Sequence, residues 1–439
     1  MRVRVGSLVS SGKLVINDGY RVTNRELGST GIPFVRGGDI GDGSITTDVV
    51  DHILPEHRDR VRNKLTKPDD VAFISKGTVG RVGYLRPDQP EVVFAPQVCY
   101  WRVINQGCIH PRFLYYMLTG PEFQANLHAV KTHGSMVADY VSLADQHAFV
   151  LTLPPIDIQA DIGRILGSLD DKIDLNRRMN ATLEAIARTL FRSWFLDFDP
   201  VRAKMEGRQP PVIDSETAAL FPSSFADSSL GPIPEGWAVG PLLDQAGLIS
   251  GGTPKTSESA YWDGGIPWAS AKDVSQCGDA FLINTERSIT DLGLANSSTK
   301  IIPKLSTVVV ARGATTGRFT MFGGDIAMNQ TCYALRSRTG HHFYLNSLFR
   351  ELVDDLIHAA HGSVFDTITT TTFERAKVIL PPPEVQTCFE LRVSSLFGRV
   401  LANLNESRTL VALRDTLLPK LLSGEVRVKH AEQLVESRP

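Results

Sequence analysis

Leu153-Pro154-Pro155-Ile156-Asp157-Ile158-Gln159 opens a stretch that runs to Thr189-Leu190-Phe191-Arg192-Ser193-Trp194-Phe195 and decides the fold. A second copy opens with Leu380-Pro381-Pro382 and ends at Thr416-Leu417-Leu418-Pro419-Lys420-Leu421-Leu422. Gln159 and Gln386 lie 386 − 159 = 227 positions apart. The same offset relates Ser168/Ser395, Leu183/Leu410, Ala185/Ala412, Thr189/Thr416 and Leu190/Leu417. The chain is therefore built on an internal repeat.

Each copy is predicted to form one long helix. Prolines stand at its start, and about forty residues follow without glycine clusters or further proline until the end. Apolar residues recur at alternate steps of four and three, which is the 3.5-residue period of a coiled coil. The first seam is Ile162, Leu166, Leu169, Ile173, Asn176, Asn180, Leu183, Ala187, Leu190 and Trp194, and the second is Phe389, Val393, Leu396, Val400, Asn403, Ser407, Leu410, Arg414, Leu417 and Leu421.

Polar residues interrupt both seams near their middle. Asn176 and Asn180 interrupt the first seam, and Asn403 and Ser407 interrupt the second. In an antiparallel pair these side chains would meet one another, and buried Asn at such positions fixes register at a cost in stability. The alternative is two amphipathic helices, each packed on its own domain. Two matched seams in one chain favour an antiparallel pair whose register these four residues set.

Composition limits the class of protein. The 439 residues favour about three domains, and 42% hydrophobic content is ordinary for folded globular protein. No apolar run reaches the ~18 residues of a membrane span, and the first residues lack an apolar signal segment, so we expect a cytoplasmic protein without membrane contact. Five cysteines without C-x-x-C spacing indicate neither a disulfide framework nor a zinc site. A net charge of −2 permits only local basic faces.

The chain reads as globular, helical, globular and helical in turn. Short β-rich runs separated by Gly, Pro and Asp turns predict an α+β fold for both globular parts. The predicted boundaries are 1–152 for the first globular part, 153–200 for the first long helix, 201–235 for a surface connector, 236–379 for the second globular part, 380–426 for the second long helix and 427–439 for a tail.

The two globular parts are distant copies of each other. Their offset drifts from 234 to 228, so loops differ while the frame persists. Similar helices beside divergent globular parts indicate a shared scaffold that presents two recognition surfaces. The matching segments are 32–35 with 266–269, 76–81 with 312–318, 97–100 with 330–333, and His133-Gly134-Ser135 with His361-Gly362-Ser363.

Searches for catalytic motifs find none. The chain lacks G-x-x-x-x-G-K-[ST], G-x-G-x-x-G after a strand, H-E-x-x-H and G-x-S-x-G. It also lacks the Asn/Asp-Pro-Pro-Tyr/Phe box with which aminomethyltransferases hold their target base. We therefore predict no catalytic residues and no metal ligands.

Two glycine-flanked basic turns are the best candidates for contact with DNA. They are Lys76-Gly77-Thr78-Val79-Gly80-Arg81 and Arg312-Gly313-Ala314-Thr315-Thr316-Gly317-Arg318. Small residues let backbone N–H groups approach a phosphate, and the cations neutralise it or contact a guanine edge. The alternative for each is a β-turn with solvated charges, but occurrence in both halves favours a shared task.

Other candidates each have a structural alternative. Gln97 and Gln330 could contact adenine or be surface amides. The two His-Gly-Ser segments could bind phosphate or turn the chain. Tyr261, Trp262 and Trp268, near Gly251-Gly252-Thr253-Pro254-Lys255, could face DNA, although core packing is the more common role of aromatics.

Several motifs together resemble the specificity (S) subunit of type I restriction–modification systems. The resemblance covers essentially the whole chain in motif order, duplication and spacing. The first half departs from it, because it has Asp18-Gly19-Tyr20 and Gly31-Ile32-Pro33-Phe34 but no Gly-Gly-Thr-Pro. The motifs are Gly251-Gly252-Thr253-Pro254, Tyr261-Trp262, Gly265-Ile266-Pro267-Trp268, Asp273-Val274, both Leu-Pro-Pro segments, Trp194-Phe195-x-Asp197-Phe198-Asp199-Pro200-Val201 and Leu418-x-x-Leu421-Leu422-Ser423-Gly424-Glu425-Val426.

The resemblance implies a non-catalytic, pseudo-twofold DNA-recognition subunit. Each globular part would be a target-recognition domain that reads half of a bipartite, asymmetric sequence in double-stranded DNA, and the helices would space the half-sites. Two modification subunits carrying S-adenosylmethionine would dock on it, together with restriction subunits that use ATP and magnesium. This chain would bind no cofactor. The predicted DNA-contacting residues are Lys76, Arg81, Gln97, Lys255, Lys272, Arg312, Arg318 and Gln330.

Two other functions remain open from the sequence. One is a protein–protein scaffold without DNA contact, which would lack a continuous basic cleft. The other is a self-sufficient DNA methyltransferase, which would bind S-adenosylmethionine without partners.

Overall fold

A computed structural model describes residues 1–41, 43–131, 140–210, 213–360 and 367–436 of the chain. The chain divides into two compact units, one formed by Met1–Ile173 with Thr409–Pro439 and the other by Asp174–Arg408. Each unit therefore contains one globular part and a portion of both long helices. This division falls inside the helices, whereas the boundaries predicted from the sequence lie at their ends.

The first globular part consists of short strands and helices. Its strands are β1 Arg2–Arg4, β2 Leu14–Asp18, β3 Leu27–Gly28, β4 Ile32–Val35, β5 His52–Ile53, β6 Val71–Ile74, β7 Val82–Tyr84, β8 Val93–Phe94, β9 Val98–Val103 and β10 Val150–Thr152. Its helices are α1 Val5–Ser10, α2 Arg58–Val61, α3 Pro111–Thr119, α4 Pro121–Lys131 and α5 Leu143–Ala148, with 3₁₀ turns at Asn24–Glu26, Gly37–Asp39, Pro55–His57 and Arg62–Lys64.

Two four-stranded sheets organise this part, in the orders β2-β9-β6-β7 and β3-β5-β4-β8. All four residues of β6 are buried, as expected of a continuous apolar strand covered on both faces. Phe73, Trp101 and Phe123 pack edge to face, with ring centroids 5.6–6.5 Å apart. Strand β4 pairs in parallel with β8, whereas the other pairings in the two sheets are antiparallel.

The first long helix, α6, runs from Ile156 to Phe195 and leads into the second unit. The following helices are α7 Asp199–Met205, α8 Ser215–Ala219, α9 Leu242–Gln245, α10 Ala271–Gln276, α11 Asp291–Ala295, α12 His342–Ala360 and α13 Thr370–Arg375, with a 3₁₀ turn at Ser259–Tyr261. The strands are β11 Phe225–Ala226, β12 Ile233–Pro234, β13 Ala238–Pro241, β14 Ala246–Ser250, β15 Trp262–Ala269, β16 Phe281–Leu282, β17 Arg287–Ile289, β18 Ile301–Ile302, β19 Thr307–Val310, β20 Phe319–Phe322, β21 Ile326–Met328, β22 Cys332–Ser337 and β23 Lys377–Leu380. The chain ends with α14 Pro383–Ser423 and α15 Val428–Glu436.

The second globular part repeats most of the strand order of the first. Its sheets are β14-β22-β19-β20-β16 and β17-β15-β21-β18. The first four strands of the larger sheet correspond to β2-β9-β6-β7. Phe34 pairs with Val93 between parallel strands in the first part, and Trp268 pairs with Ala327 in the same way in the second. The mixed α+β class predicted for both parts is confirmed.

Helices α6 and α14 form an antiparallel pair, as predicted. In the second unit Asn176 contacts Asn403, whereas Phe191 and Trp194 pack on Phe389, with ring centroids 5.6 and 6.1 Å apart. In the first unit Asp170 of α6 contacts Arg414 of α14 at 2.7 Å. Every position of the two apolar seams is buried or half-buried. The 3.5-residue period thus identifies the faces that pair.

The four polar seam residues come together in the second unit. Asn176 Nδ2 donates to Glu406 Oε2 (2.8 Å) and Ser407 Oγ (3.2 Å), and Asn403 Nδ2 donates to Asn180 Oδ1 (2.8 Å). The Oδ1 atoms of Asn176 and Asn403 are buried without a hydrogen-bond donor among the described residues. Such groups cost stability, so the layer is suited to specifying register rather than to strengthening the pair.

The segment predicted as a surface connector is packed into the second unit instead. Val201 and Phe221 are 0% and 1% exposed, and Ile233 is also buried. The Phe221 ring packs edge-on against Trp194, with centroids 5.2 Å apart. Pro, Gly and Ser make up 12 of the 35 residues of this segment and obscure the apolar residues that anchor it.

Candidate nucleic-acid interface

The first glycine-flanked turn is a tight connection between β6 and β7. Gly80 N donates to Ile74 O (3.0 Å) and Ile74 N donates to Arg81 O (3.0 Å). Gly77 and Gly80 have φ angles of 90° and 109°, a region that favours glycine over residues with a Cβ atom. The glycines therefore allow the chain to reverse here and to present Lys76 to solvent.

The second turn has the same backbone frame between β19 and β20. Gly317 N donates to Val310 O (2.9 Å), and Val310 N donates to Arg318 O (2.8 Å). Gly313 and Gly317 have φ angles of 100° and 88°. Three residues lie between Gly313 and Gly317, whereas two lie between Gly77 and Gly80. The sequence offset between the two parts therefore rises from 313 − 77 = 236 to 317 − 80 = 237 across the turn. The predicted equivalence of the two turns is confirmed at the level of hydrogen bonds.

Four of the predicted cations are free to contact a ligand. Lys76, Lys255, Arg312 and Arg318 are exposed and have no ion-pair partner among the described residues. Lys76 bridges to Tyr140 and Arg312 to Thr367 through the backbone, so the two occupy corresponding places. Exposed, unpaired cations on small-residue turns are suited to phosphate or guanine.

The other two predicted cations are engaged within the protein. Arg81 is half-buried, and its Nη1 donates to Ile40 O (3.1 Å). Lys272 pairs with Glu286 at 2.8 Å, and the hydrogen bond that it donates to this carboxylate raises the pKa of the lysine. Both side chains would have to leave these partners before binding DNA.

The sequence parallel between Gln97 and Gln330 is wrong by one residue. Ser75 N donates to Gln97 O, and the corresponding Ala311 N donates to Thr331 O, both at 2.8 Å. Gln97 therefore corresponds to Thr331, and a shift of one residue moves a side chain to the opposite face of a strand. Adjacent Cys and Tyr residues in both segments favour the incorrect alignment. Gln97 is exposed, whereas Gln330 Oε1 accepts a hydrogen bond from the Thr253 hydroxyl.

The structure places Asp18-Gly19-Tyr20 in the role of the Gly-Gly-Thr-Pro segment. Tyr20 N donates to Phe94 O (2.7 Å), and Gly252 N donates to Met328 O (2.9 Å). A Cβ atom on Gly19 would lie 2.0 Å from Ala95 O, and one on Gly251 would lie 2.0 Å from Asn329 O. Both halves therefore require glycine at one point, and the departure in the first half leaves the backbone path intact.

The tryptophans belong to the core. Trp262 and Trp268 are 6% and 5% exposed and pack edge to face 5.2 Å apart. Their indole N–H groups donate to Lys255 O (3.2 Å) and Gly252 O (3.1 Å). They therefore support the Gly-Gly-Thr-Pro segment from beneath. Both His-Gly-Ser segments, beginning at His133 and His361, lie outside the described residues.

A basic region in the first globular part escaped sequence analysis. Arg60 reaches Glu26 at 3.4 Å and so links α2 to the 3₁₀ turn at Asn24–Glu26. Arg21, Arg25 and Arg62 are exposed nearby in the chain and form no ion pair within the described ranges. The alternating run Arg58-Asp59-Arg60-Val61-Arg62-Asn63-Lys64 could have signalled this region.

Two further classes of site were searched. Over the part of the chain that the structure describes, no three His, Cys, Asp or Glu side chains are grouped so as to hold a metal ion. Within the same residues, none of the helices combines the length and the hydropathy required to span a membrane.

The duplicated frame and turns match a known sequence family. A family model described as the type I restriction modification DNA specificity domain matches residues 12–185 and again residues 234–388. Each matched range contains most of one globular part. The first range also covers most of α6, and the second covers the start of α14.

Relatives and solved structures agree with this match. The chain is 28% identical to the type I restriction enzyme HindI specificity subunit of Haemophilus influenzae, over 73% of this chain and 79% of that one. It is 26% identical to the MjaIX specificity subunit of Methanocaldococcus jannaschii, over 63% of this chain and 60% of that one. The fold resembles a crystal structure of a type I restriction-modification S subunit from M. genitalium, with a TM-score of 0.59 and 14% identity over 96% of this chain and 95% of the other.

Proposed function

The chain belongs to the type I restriction–modification DNA specificity family, and from this premise we propose how it reads DNA. Each globular part binds one half of a bipartite, asymmetric target in double-stranded DNA. The glycine turns at 76–81 and 312–318 lie against the DNA, with Lys76, Arg312 and Arg318 on phosphates or base edges.

One observation carries the proposal. The same hydrogen-bonded turn occurs in both globular parts, and each copy presents at least one exposed, unpaired cation. With a net charge of −2 the whole protein has no general attraction for DNA, so local cations on defined turns have to supply it.

The test is the salt dependence of DNA binding by the complex assembled with its modification subunits. Replacing Lys76, Arg312 or Arg318 by Ala should weaken binding, and each lost phosphate contact should reduce the slope of log K against log salt by about one. Lys429→Ala is the matched control, because Lys429 is an exposed lysine of α15 outside both glycine turns and should change little. Unchanged affinity and slope for all three variants would remove the turns from the interface.

Partners and cofactors are part of the same proposal. The chain docks two modification subunits, which hold S-adenosylmethionine, and restriction subunits, which use ATP and magnesium, while it is itself non-catalytic. The proposed location is the cytoplasm. Binding of S-adenosylmethionine by the isolated chain would favour a methyltransferase instead, and an assembled complex with no affinity for DNA would favour a protein–protein scaffold.

A further inference from the structure

Each unit contains an apolar pocket at the C-terminal end of one long helix. The pocket in the second unit measures about 150 Å³ and the one in the first unit about 180 Å³. The second-unit pocket is lined in part by Phe195, Leu196, Tyr344, Leu348, Glu351, Leu352 and Ile379. The first-unit pocket is lined in part by Leu422, Ser423, Phe113, Met117, Gly120, Pro121 and Thr152.

These two sets occupy the same positions of the internal repeat. Leu196 and Ser423 differ by 423 − 196 = 227, the offset of the long helices. Helices α3 and α12 are related by 231, because Leu114 N donates to His110 O (3.0 Å) just as Leu345 N donates to His341 O (3.1 Å). The offset of 227 pairs Phe195, Leu196 and Ile379 with Leu422, Ser423 and Thr152. The offset of 231 pairs Tyr344, Leu348, Glu351 and Leu352 with Phe113, Met117, Gly120 and Pro121.

The repetition argues against a packing defect. Protein interiors are close-packed, and voids larger than a water molecule are few. Here every one of the seven residue pairs differs in type, for example Leu196 with Ser423 and Glu351 with Gly120. The lining has been replaced throughout, yet the space remains in both units. This repetition of the space in both units is the observation on which the following proposal rests.

We propose that each pocket receives one apolar side chain, of phenylalanine or leucine size, from one of two copies of a single partner protein. A dry apolar cavity of about 150 Å³ can hold a benzene ring, so the volumes suit one such side chain. Equivalent pockets take equivalent occupants, which requires two copies. The inference rests on the proposed function, in which two identical modification subunits dock on this chain.

The rims add a charge preference. Glu351 lines the second-unit pocket and Glu122 the first, and both are exposed. A carboxylate beside each pocket favours a Lys or Arg next to the inserted side chain and disfavours DNA, which is polyanionic. Lys377 lines the second-unit pocket only, so the rim of that pocket is less acidic.

The experiment counts modification subunits in the assembled complex by native mass spectrometry. Leu196 is 38% exposed and Ser423 is exposed, so Leu196→Asp and Ser423→Asp charge one pocket each without entering the core. Each single variant should lose at least tenfold in affinity for one copy, and the double variant should lose both copies. Leu292→Asp and Ser29→Asp, which alter exposed residues of the same types elsewhere, should keep two copies.

Thermal unfolding of the free variants separates a folding failure from a lost contact. If an Asp variant unfolds, Leu196→Gln or Ser423→Gln takes its place and should weaken binding of the same copy, because a neutral amide also places polar atoms in the pocket. A double variant that is folded and still carries two modification subunits overturns the inference. The inference also fails if the variants bind both modification subunits and lose only the association of this chain with itself. A wild-type chain that binds no modification subunit overturns the proposed function and this inference with it.

Discussion

The carboxylate of Glu26 fixes the chain near the first recognition surface. It accepts hydrogen bonds from Thr23 N (2.8 Å), Thr23 Oγ1 (2.9 Å) and Tyr20 Oη (2.9 Å), and it pairs with Arg60 at 3.4 Å. The backbone hydrogen bond from Thr23, followed by the side-chain bonds, lowers the pKa of Glu26 to about 2. The native protein therefore holds this group ionised at pH values where the unfolded chain protonates it.

This shift predicts how stability depends on pH. Because the folded-state pKa is lowered, the contribution of Glu26 is complete above about pH 4.5 and is lost as the pH falls towards 2. Glu26→Gln should lower the free energy of unfolding at pH 7 by about 1–3 kcal/mol and flatten its fall below pH 4.5. Urea unfolding at pH 7 and pH 3 measures both effects. Glu56→Gln, at an exposed site, is the control; an unaltered pH profile for Glu26→Gln would contradict the prediction.

At the residue scale the sequence reveals types and spacings but not tertiary partners. The turn glycines and their cations are visible because φ > 0 and exposed charge both select residue type. The pairing of Lys272 with Glu286 and of Arg81 with Ile40 depends on loops meeting in space. The residue that corresponds to Gln97, in the turn just before β9, depends on the ladder register of β9, which local similarity cannot fix.

Among the elements, the long helices were the most predictable. Their prolines, length and 3.5-residue period act along the chain and are read directly from it. The connector was less predictable, because six buried apolar residues anchor it to the second unit while the rest of its sequence looks like a loop. Gly120-Pro121 separates α3 from α4, whereas Glu351-Leu352 allows α12 to continue from His342 to Ala360.

The central polar layer of the helix pair should lower the free energy of unfolding while it fixes the register of the two helices. Replacing Asn176, Asn180 and Asn403 together by Leu removes buried amide groups, two of which have unpaired oxygens. The triple variant should gain on the order of 1–3 kcal/mol in the free energy of unfolding. Asn180→Leu alone should instead destabilise, because it leaves the buried Nδ2 group of Asn403 without its acceptor.

Thermal unfolding measures the first effect, and analytical ultracentrifugation detects the alternative associations that a relaxed register permits. Asn405→Leu, at an exposed position of α14, is the control and should change neither measurement. A triple variant that is less stable than the wild type would show that the layer contributes net stability.

At the scale of the whole molecule, the duplication keeps the frame and varies the surfaces. Both globular parts retain four strands of the larger sheet in the same order, the turn and the glycine at 19 or 251. They differ in turn length, in free cations and in the residue that corresponds to Gln97. A frame repeated with different exposed side chains suits the reading of two unlike half-sites, because contacts to base edges carry the sequence information.

The length of the helix pair should set the spacing between those two half-sites. One heptad inserted after Ile173 and another after Arg408 lie at the same level of the antiparallel pair and keep both seams in phase. They add roughly 10 Å of helix, and the spacer of the methylated target should lengthen by up to about three base pairs. Sequencing of methylated sites measures it. A heptad in α6 alone misaligns the seams and should lower the unfolding temperature, whereas an unchanged spacer in the double insertion would mean that the helices do not set the distance.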